Sequence, residues 1–390
     1  MIVLGFYIAA FVAAWLAFGR GRGGAFGDAA SVRPNRLASV ISVLVLFAVW
    51  AAFTGSRLFP LHVPGPFLGE TQFAYTTQAP DGTRQDGVAR VIVHKLDQPP
   101  PATPDATAVP AWRSGLLKLP TGDKVVAVDG QPIATGDRVA VANGSVTLTP
   151  KGTLNFTPYA GWQMEPIWLP PPESVWARFI DIARNGYQNT PLWEHLGFSL
   201  FRVLTGFAAG AVVGIPLGYA MGLSPWARGW FDPIVEFMRP VPPLALIPLI
   251  IIWFGIWERG KIVLLFLAAL WIMTIAARAG VESVRLSKVQ AAWSLGASRW
   301  QVLSRVIVPN SLPDIFTGAR VAMGVCWGTV VAAELVAAQK GAGMMIIAAS
   351  KFQQTDVVLV GIILIGVVGY SIDILMRRAE ARLVPWKGRA

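Results

Sequence analysis

Long apolar stretches limit this chain more than any other feature. A bilayer's hydrocarbon core takes roughly 20 apolar helical residues to cross, and the sequence offers about seven candidates: Met1–Phe18, Ala38–Phe53 with its flanks, Leu196–Leu223, Ile234–Trp257, Lys261–Ala279, Phe316–Ala338 and Val357–Met376. Of the 390 residues, 54% are hydrophobic and 14% charged, against about a quarter charged in soluble domains. The expected class is an all-α polytopic membrane protein. A secretory signal carries its positive charge before the apolar core. Here Arg20 and Arg22 follow the first run, so the reading is a retained span with the N-terminus outside.

The bases sort by side. Arg20, Arg22, Arg33 and Arg36 lie between the first two runs, and Arg285, Lys288, Arg299 and Arg305 between the fifth and sixth. Arg377, Arg378, Arg382, Lys387 and Arg389 follow the last. Seven crossings bring all three clusters to one face, and Lys/Arg-rich short loops mark the cytoplasm. Much of the net charge of +11 is therefore topology, and no nucleic-acid partner is expected. The single cysteine, Cys326, leaves no disulfide framework.

Between the second and third runs the character changes. Short alternating segments (Val88–Val93, Lys124–Val128, Val139–Val141) are separated by Asp81-Gly82, Asp129-Gly130 and Asn143-Gly144, dipeptides suited to the positive φ of tight hairpins. This predicts a small β-rich extracytoplasmic insert over 58–169, split by the proline run Pro99, Pro100, Pro101, Pro104 as by a linker. Pro170-Pro171-Pro172 closes it, and Glu173–Asn185 is expected as an interfacial helix. The expected division is two N-terminal spans in 1–57, the insert in 58–169 and a helical core in 170–390.

Two phosphate-type motifs fail. The stretch from Gly255 to Gly260-Lys261 is followed by Ile262, where Mg²⁺ binding needs Ser or Thr in a strand–loop–helix frame. The G-x-G-x-x-G at Gly19, Gly21 and Gly24 follows no strand. His62, His94 and His195 show no metal-ligand spacing. Neither cofactor, metal nor catalytic residues are expected.

Val289–Pro313, VQAAWSLGASRWQVLSRVIVPNSLP, reads as helix, glycine break, helix, proline stop. Ala291, Ala292 and Leu295 form a small apolar face, Gly296 permits the turn, and Trp300, Leu303 and Val306 continue the stripe at helical spacing. Pro309 and Pro313 are expected to end it. Periodicity suits a helix pair seated in another protein's groove and one lying among lipid headgroups equally.

The segment resembles the EAA coupling loop of ATP-binding-cassette importer permeases: Gln290-Ala291-Ala292, then Gly296, then Val306-x-Val308-Pro309. Gln290 replaces the family's Glu, which puts a salt bridge from that position in doubt. Gly214–Ile256, Ser294–Arg320, Val330–Ala338, Thr355–Ile362 and the ending LVPWKG (Leu383–Gly388) resemble the nitrate/sulfonate/taurine branch, its taurine permeases above all. The resemblance implies a type I importer permease core. It also implies a homodimeric pathway for a small sulfonate such as taurine, or for nitrate, with a separate cytoplasmic ATPase, an extracytoplasmic binding protein and no enzymatic activity of its own. It makes Gln290, Ala291, Ala292, Gly296 and Pro309 the ATPase-contacting residues. The first span and the insert have no counterpart in it.

Ionisable residues in spans are costly. They make Arg202, Glu236, Arg239, Arg320 and Glu334 candidates for the pathway, against pairing within the bundle or snorkelling. Glu236 and Arg239 are spaced to pair three residues apart. Pro240, Pro242, Pro243 and Pro248 interrupt the fourth run. A membrane-anchored sensor is the competing class, and it leaves the coupling-loop spacing without a role.

Overall fold

In lipid a backbone must satisfy its own polar groups, which long apolar runs do as helices. The computed structural model describes residues 2–18, 36–79, 81–96, 98–101, 105–117 and 124–386. Expectations for Arg20, Arg22, Arg33, the glycines at 19, 21 and 24, Pro104, Lys387, Gly388 and Arg389 lie outside them. The chain forms two compact units, Met1–Ser174 and Val175–Ala390.

Among the described residues the first unit carries helices α1 (Ile2–Phe18) and α2 (Arg36–Thr54), then nine strands: β1 (Gly69–Gln78), β2 (Arg84–His94), β3 (Thr107–Pro110), β4 (Gly115–Leu116), β5 (Lys124–Val128), β6 (Gln131–Pro132), β7 (Arg138–Val141), β8 (Gly144–Leu148) and β9 (Leu154–Pro158). They form two sheets, ordered β3-β2-β1-β5-β6 and β4-β9-β8-β7. Alternate residues of β1 and β2 point inward, among them Phe73, Tyr75, Val91 and Val93, and join Val146, Leu154 and Phe156 in one core. Phe73 and Phe156 stack with centroids 6.0 Å apart. The proline run does not divide this unit. It lies in the connection between β2 and β3, which pair in parallel, and both strands feed the same core. Gly82, Asp129, Gly130 and Asn143 take positive φ at the expected turns, while Gly144 opens β8 instead.

Two ties join the end of α2 to the chain after β9: Met164 N–H donates to Phe53 C=O at 2.8 Å, and Trp50 Nε1 to Pro170 C=O at 3.0 Å. Glu173 accepts from Ser56 Oγ (2.7 Å) and from the Arg57 N–H (2.9 Å). Burial alone raises its pKa, but these donors, with the Arg57 charge, outweigh that and hold it below the ordinary 4.5. Protonation therefore weakens the contact only on the acid side. Its stabilisation is complete above 4.5 and disappears as pH falls through the lowered folded value. Hydrogen exchange at residues 56–58 should accelerate across that window in the wild type, and Glu173→Gln should remove the pH dependence.

The second unit runs through α3 (Pro172–Asn185, its first residues in the preceding unit), α4 (Leu192–Leu223), α5 (Pro225–Met238), a 3-10 turn (Pro243–Leu246), α6 (Ile247–Phe254) and α7 (Glu258–Glu282). It continues with α8 (Leu286–Ser294), α9 (Arg299–Val302), a π turn (Leu303–Ile307), α10 (Val308–Ala337), α11 (Ala342–Lys351) and α12 (Thr355–Leu383). Among the described residues five helical stretches are long and apolar enough to cross a membrane: Arg36–Thr54, Leu192–Leu223, Glu258–Glu282, Arg299–Val336 and Thr355–Leu383. A bent pair, Pro225–Met238 with Pro243–Phe254, makes a sixth if counted as one span. The seven expected from sequence are thus reached only by adding α1, which is shorter than these.

The fourth run is broken at its prolines, as expected. The chain bends by 90° between α5 and the 3-10 turn. Pro240, Pro242 and Pro243 remove amide donors and push the residues before them out of the α region. The opposite happens at Pro309 and Pro313, expected as stops: the helix runs through both. The π turn at Leu303–Ile307 shifts the hydrogen-bond register just before Pro309, and Pro309 sits in the first turn of α10, where an amide donor has no helical partner anyway.

A glycine stripe on α4 sets the core. Cβ atoms built at Gly206, Gly210, Gly214 and Gly218 would lie 2.4–2.7 Å from atoms of Leu265, Ala269, Leu270 and Thr274 on α7. Small residues every fourth position let membrane helices touch backbone to backbone. Gly214→Val should force α4 and α7 apart and cost about 1–3 kcal/mol, read as a lower unfolding midpoint in detergent. Gly197→Val on the same helix, where the added carbon meets nothing within 4 Å, should change it little.

Candidate functional site

Two constellations stand out in the second unit. The first is a buried ion cluster where α4, the start of α7, the end of α10 and the start of α11 converge. Arg202 is 1% exposed and Glu334 0%. Arg202 Nη1 donates to Glu334 Oε1 at 2.6 Å and to the Lys340 C=O at 2.8 Å, and Nη2 donates to Glu258 Oε1 at 2.7 Å. Lys261 Nζ also donates to Glu258 Oε1, at 2.9 Å. Ser199 Oγ donates to the Glu334 carboxylate at 2.8 Å, and the Gly343 N–H donates to its other oxygen at 2.9 Å. The Ala342 N–H reaches Ser199 Oγ at 3.0 Å. Every charge here has both a countercharge and hydrogen-bond donors or acceptors, the condition for burying ions.

His195 completes the lining as a neutral ring. Nδ1 lies 3.1 Å from the Gly341 N–H and accepts from it, so Nε2 carries the proton toward the Tyr187 C=O at 3.2 Å. Gly341 has φ +144°, and a Cβ there would lie 2.4 Å from the Glu334 carboxylate. Only glycine lets the chain fold over the ion pair.

The second constellation is the helix pair α8–α9. Leu295 caps α8. The Gly296 N–H returns to Trp293 C=O (2.9 Å) and the Ala297 N–H to Ala292 C=O (3.1 Å), the two bonds of a Schellman stop. Gly296 supplies the left-handed residue that this stop needs, at φ +80°. Ser298 and Gln301 then form a reciprocal capping box that starts α9. Val281, Val302 and Ile307, with Val289, Ala292 and Leu303, make a small core under the pair. The outer face is left bare and apolar: Leu295 is 88% and Trp300 72% exposed.

The ten residues singled out by sequence therefore separate. Gln290, Ala291 and Gly296 lie on the outside of the helix pair, whereas Ala292 turns inward to the local core. Ala292 and Leu295 thus do not share the face expected of them, because α8 ends between them. Pro309 is half-buried at the start of α10. Arg202 and Glu334 meet in the ion cluster. Glu236 and Arg239 do pair, at 3.6 Å, but on exposed α5 and at its cap, not within a continuous span. There Glu236 also meets Arg278 of α7. Arg320 lies well inside α10, 3.6 Å from Glu380 of α12. Sequence reading missed Glu258, Ser199 and the glycines at 341 and 343. Their partners are distant in the chain, and the motif around Gly255–Lys261 drew attention only as a failed phosphate loop. The capping box, Ser298-x-x-Gln301, was available as a local signal.

The arrangement contains paired ions and a bare apolar helix pair. A profile of the family described as "Binding-protein-dependent transport system inner membrane component" matches residues 210–385. The taurine transport system permease protein TauC of Escherichia coli (strain K12) is 48% identical over 226 residues, covering 58% of this chain and 82% of that one. This chain belongs to that permease family. The putative aliphatic sulfonates transport permease protein SsuC of the same strain is 38% identical over 226 residues (58% and 84%). The nitrate import permease protein NrtB of Synechocystis sp. (strain ATCC 27184 / PCC 6803 / Kazusa) is 32% identical over 201 residues (52% and 73%). The permease is an ATP-binding-cassette importer subunit, a multi-pass inner-membrane component. The family match begins in the middle of α4, so both the ion cluster's distal half and the α8–α9 pair fall within it, and the β unit does not.

Proposed function

We propose that this permease carries a small sulfonate, taurine in the first instance, inward across the membrane. The observation that carries the reading is the 48% identity to TauC over 82% of that relative's length. Nitrate is the weaker reading, with lower identity to the nitrate permease. ATP is hydrolysed on a separate cytoplasmic chain, and substrate is delivered by a separate extracytoplasmic binding protein. Two copies of the permease form the pathway. The sensor alternative leaves the family match without a role.

The exposed apolar face of α8–α9 supports its use as the ATPase contact through Gln290, Ala291 and Gly296, with Ala292 and Pro309 shaping it from behind. Arg202 and Glu334 act as a structural clamp in this reading, since every polar atom named in that cluster is engaged by protein. Counting the bent pair as one span and adding α1 gives seven crossings. The N-terminus is then outside, the C-terminus cytoplasmic and the β insert (58–169) extracytoplasmic, between 1–57 and the core at 170–390.

Co-purification with candidate ATPases and binding proteins tests the reading, followed by calorimetry of the binding protein against a sulfonate panel. Preference for taurine supports it; a partner that binds only nitrate overturns the sulfonate. Leu295→Ser with Trp300→Ser should reduce ATPase recovery by at least about tenfold, as loss of apolar anchors does at interfaces, while membrane insertion stays normal.

A further inference from the structure

A cavity of about 300 Å³ lies between α10 and α12, walled by Arg320, Gly324 and Trp327 on one side and Gly369, Asp373 and Met376 on the other. That is the small end of ligand pockets, roughly 300–1,000 Å³. Its charges are incompletely used. Arg320 Nε is buried without a hydrogen-bond partner among the described residues and sits 3.6 Å from Glu380 Oε2, beyond hydrogen-bond length. Both Arg377 contacts to Asp373, from Nε and Nη2 at 2.7 Å, fall on one oxygen, Oδ2. The Trp327 N–H is already committed to the Ile365 C=O at 3.1 Å, so its ring offers an apolar surface. Gly324 opens onto space, for a Cβ there meets nothing within 4 Å.

We propose that this cavity is a binding subsite for a compact zwitterion carrying one sulfonate and one ammonium group. Arg320 receives the sulfonate, the unengaged oxygen of Asp373 receives the ammonium, and Trp327 covers the short carbon link between them. The lining supports a zwitterion over a simple anion. Of the lining residues Arg320 and Asp373 are charged, so the walls are formally neutral, and a lone anion would leave the site with a net negative charge. Arg377 lies largely exposed one turn from Asp373, a geometry that binds weakly and leaves Asp373 open to a second cation. This rests on the sulfonate reading above and extends it from the binding protein to the membrane subunit.

The test uses the permease–ATPase complex in nanodiscs without the binding protein, so that the partner's selectivity does not enter. Equilibrium binding of radiolabelled taurine and of isethionate, its hydroxyl analogue, is measured side by side. Wild type should prefer taurine, and Asp373→Asn should reduce that preference by at least about tenfold with isethionate affinity retained. Arg320→Gln should weaken both ligands. Gly324→Leu fills the cavity without touching a charge and should abolish binding of both while the complex still assembles. An unchanged taurine-to-isethionate ratio in Asp373→Asn, undiminished binding in Gly324→Leu, or no binding by wild type would each overturn the subsite. ATP-driven taurine uptake by the complete wild-type transporter, measured in parallel, separates that failure from failure of the sulfonate reading itself.

Discussion

Arg202→Met should be among the most damaging single substitutions in this permease, with a cost of about 3–5 kcal/mol, the usual penalty for breaking a buried pair. Glu334 is fully buried, and Arg202 is the cation that meets it. Without Arg202, the carboxylate keeps only Ser199 and the Gly343 N–H. Glu334→Leu should be the milder of the two, because Arg202 retains bonds to Glu258 and the Lys340 C=O. Joining the substitutions should recover much of the loss, since an apolar pair of similar volume leaves no uncompensated charge. Unfolding midpoints of the purified complex in detergent give the cycle. A single Arg202→Met as harmless as a surface change, or a double variant no better than the singles, would refute the clamp. Gly341→Ala adds a carbon against the same carboxylate and should resemble Glu334→Leu.

The second large effect concerns coupling rather than stability. Gly296→Val should abolish substrate-stimulated ATP hydrolysis while expression and membrane insertion stay near normal. The position is open, with nothing within 4 Å of an added Cβ and φ at +80°, so the penalty comes from backbone conformation alone. A β-branched residue resists the left-handed region, at about 1–2 kcal/mol, enough to undo a stop held by two backbone bonds. Once that stop opens, α8 loses its angle to α9 and the bare face of Leu295 and Trp300 is no longer presented. Gly296→Asn is the control: asparagine enters the left-handed region more readily and should keep most of the coupling. Equal loss in both variants would mean that the glycine serves the contact itself rather than the turn.

Much of this fold is legible in the sequence where a local rule suffices. The apolar runs at 38–53, 196–223, 261–279 and 357–376 fall inside α2, α4, α7 and α12, because length and apolarity alone decide a span. The turns at Gly82 and Asp129-Gly130 follow from their φ requirement. The helix pair α8–α9 is legible too, since Gly296 is a local stop. What sequence did not disclose depends on competition or distance. Pro309 and Pro313, expected as stops, are absorbed into α10 after a π turn that no residue pattern announces. Arg202 and Glu334 are suspect as membrane ions, but their partnership spans 132 positions, and Glu258, 56 positions from Arg202, stands in a segment that reads locally as a turn. The α4 glycines recur every fourth residue from 206 to 222, a packing signal present in the sequence whose meaning emerges only beside α7.

The central claim is that this chain transmits a stroke made elsewhere through α8–α9. Vesicles reconstituted with the permease alone, and with its ATPase and binding protein, should be loaded with ATP on the ATPase side and assayed for radiolabelled taurine accumulation. The account predicts accumulation only in the complete assembly, and its loss there when Gly296 is replaced by valine. Concentration of taurine by the permease alone would contradict it.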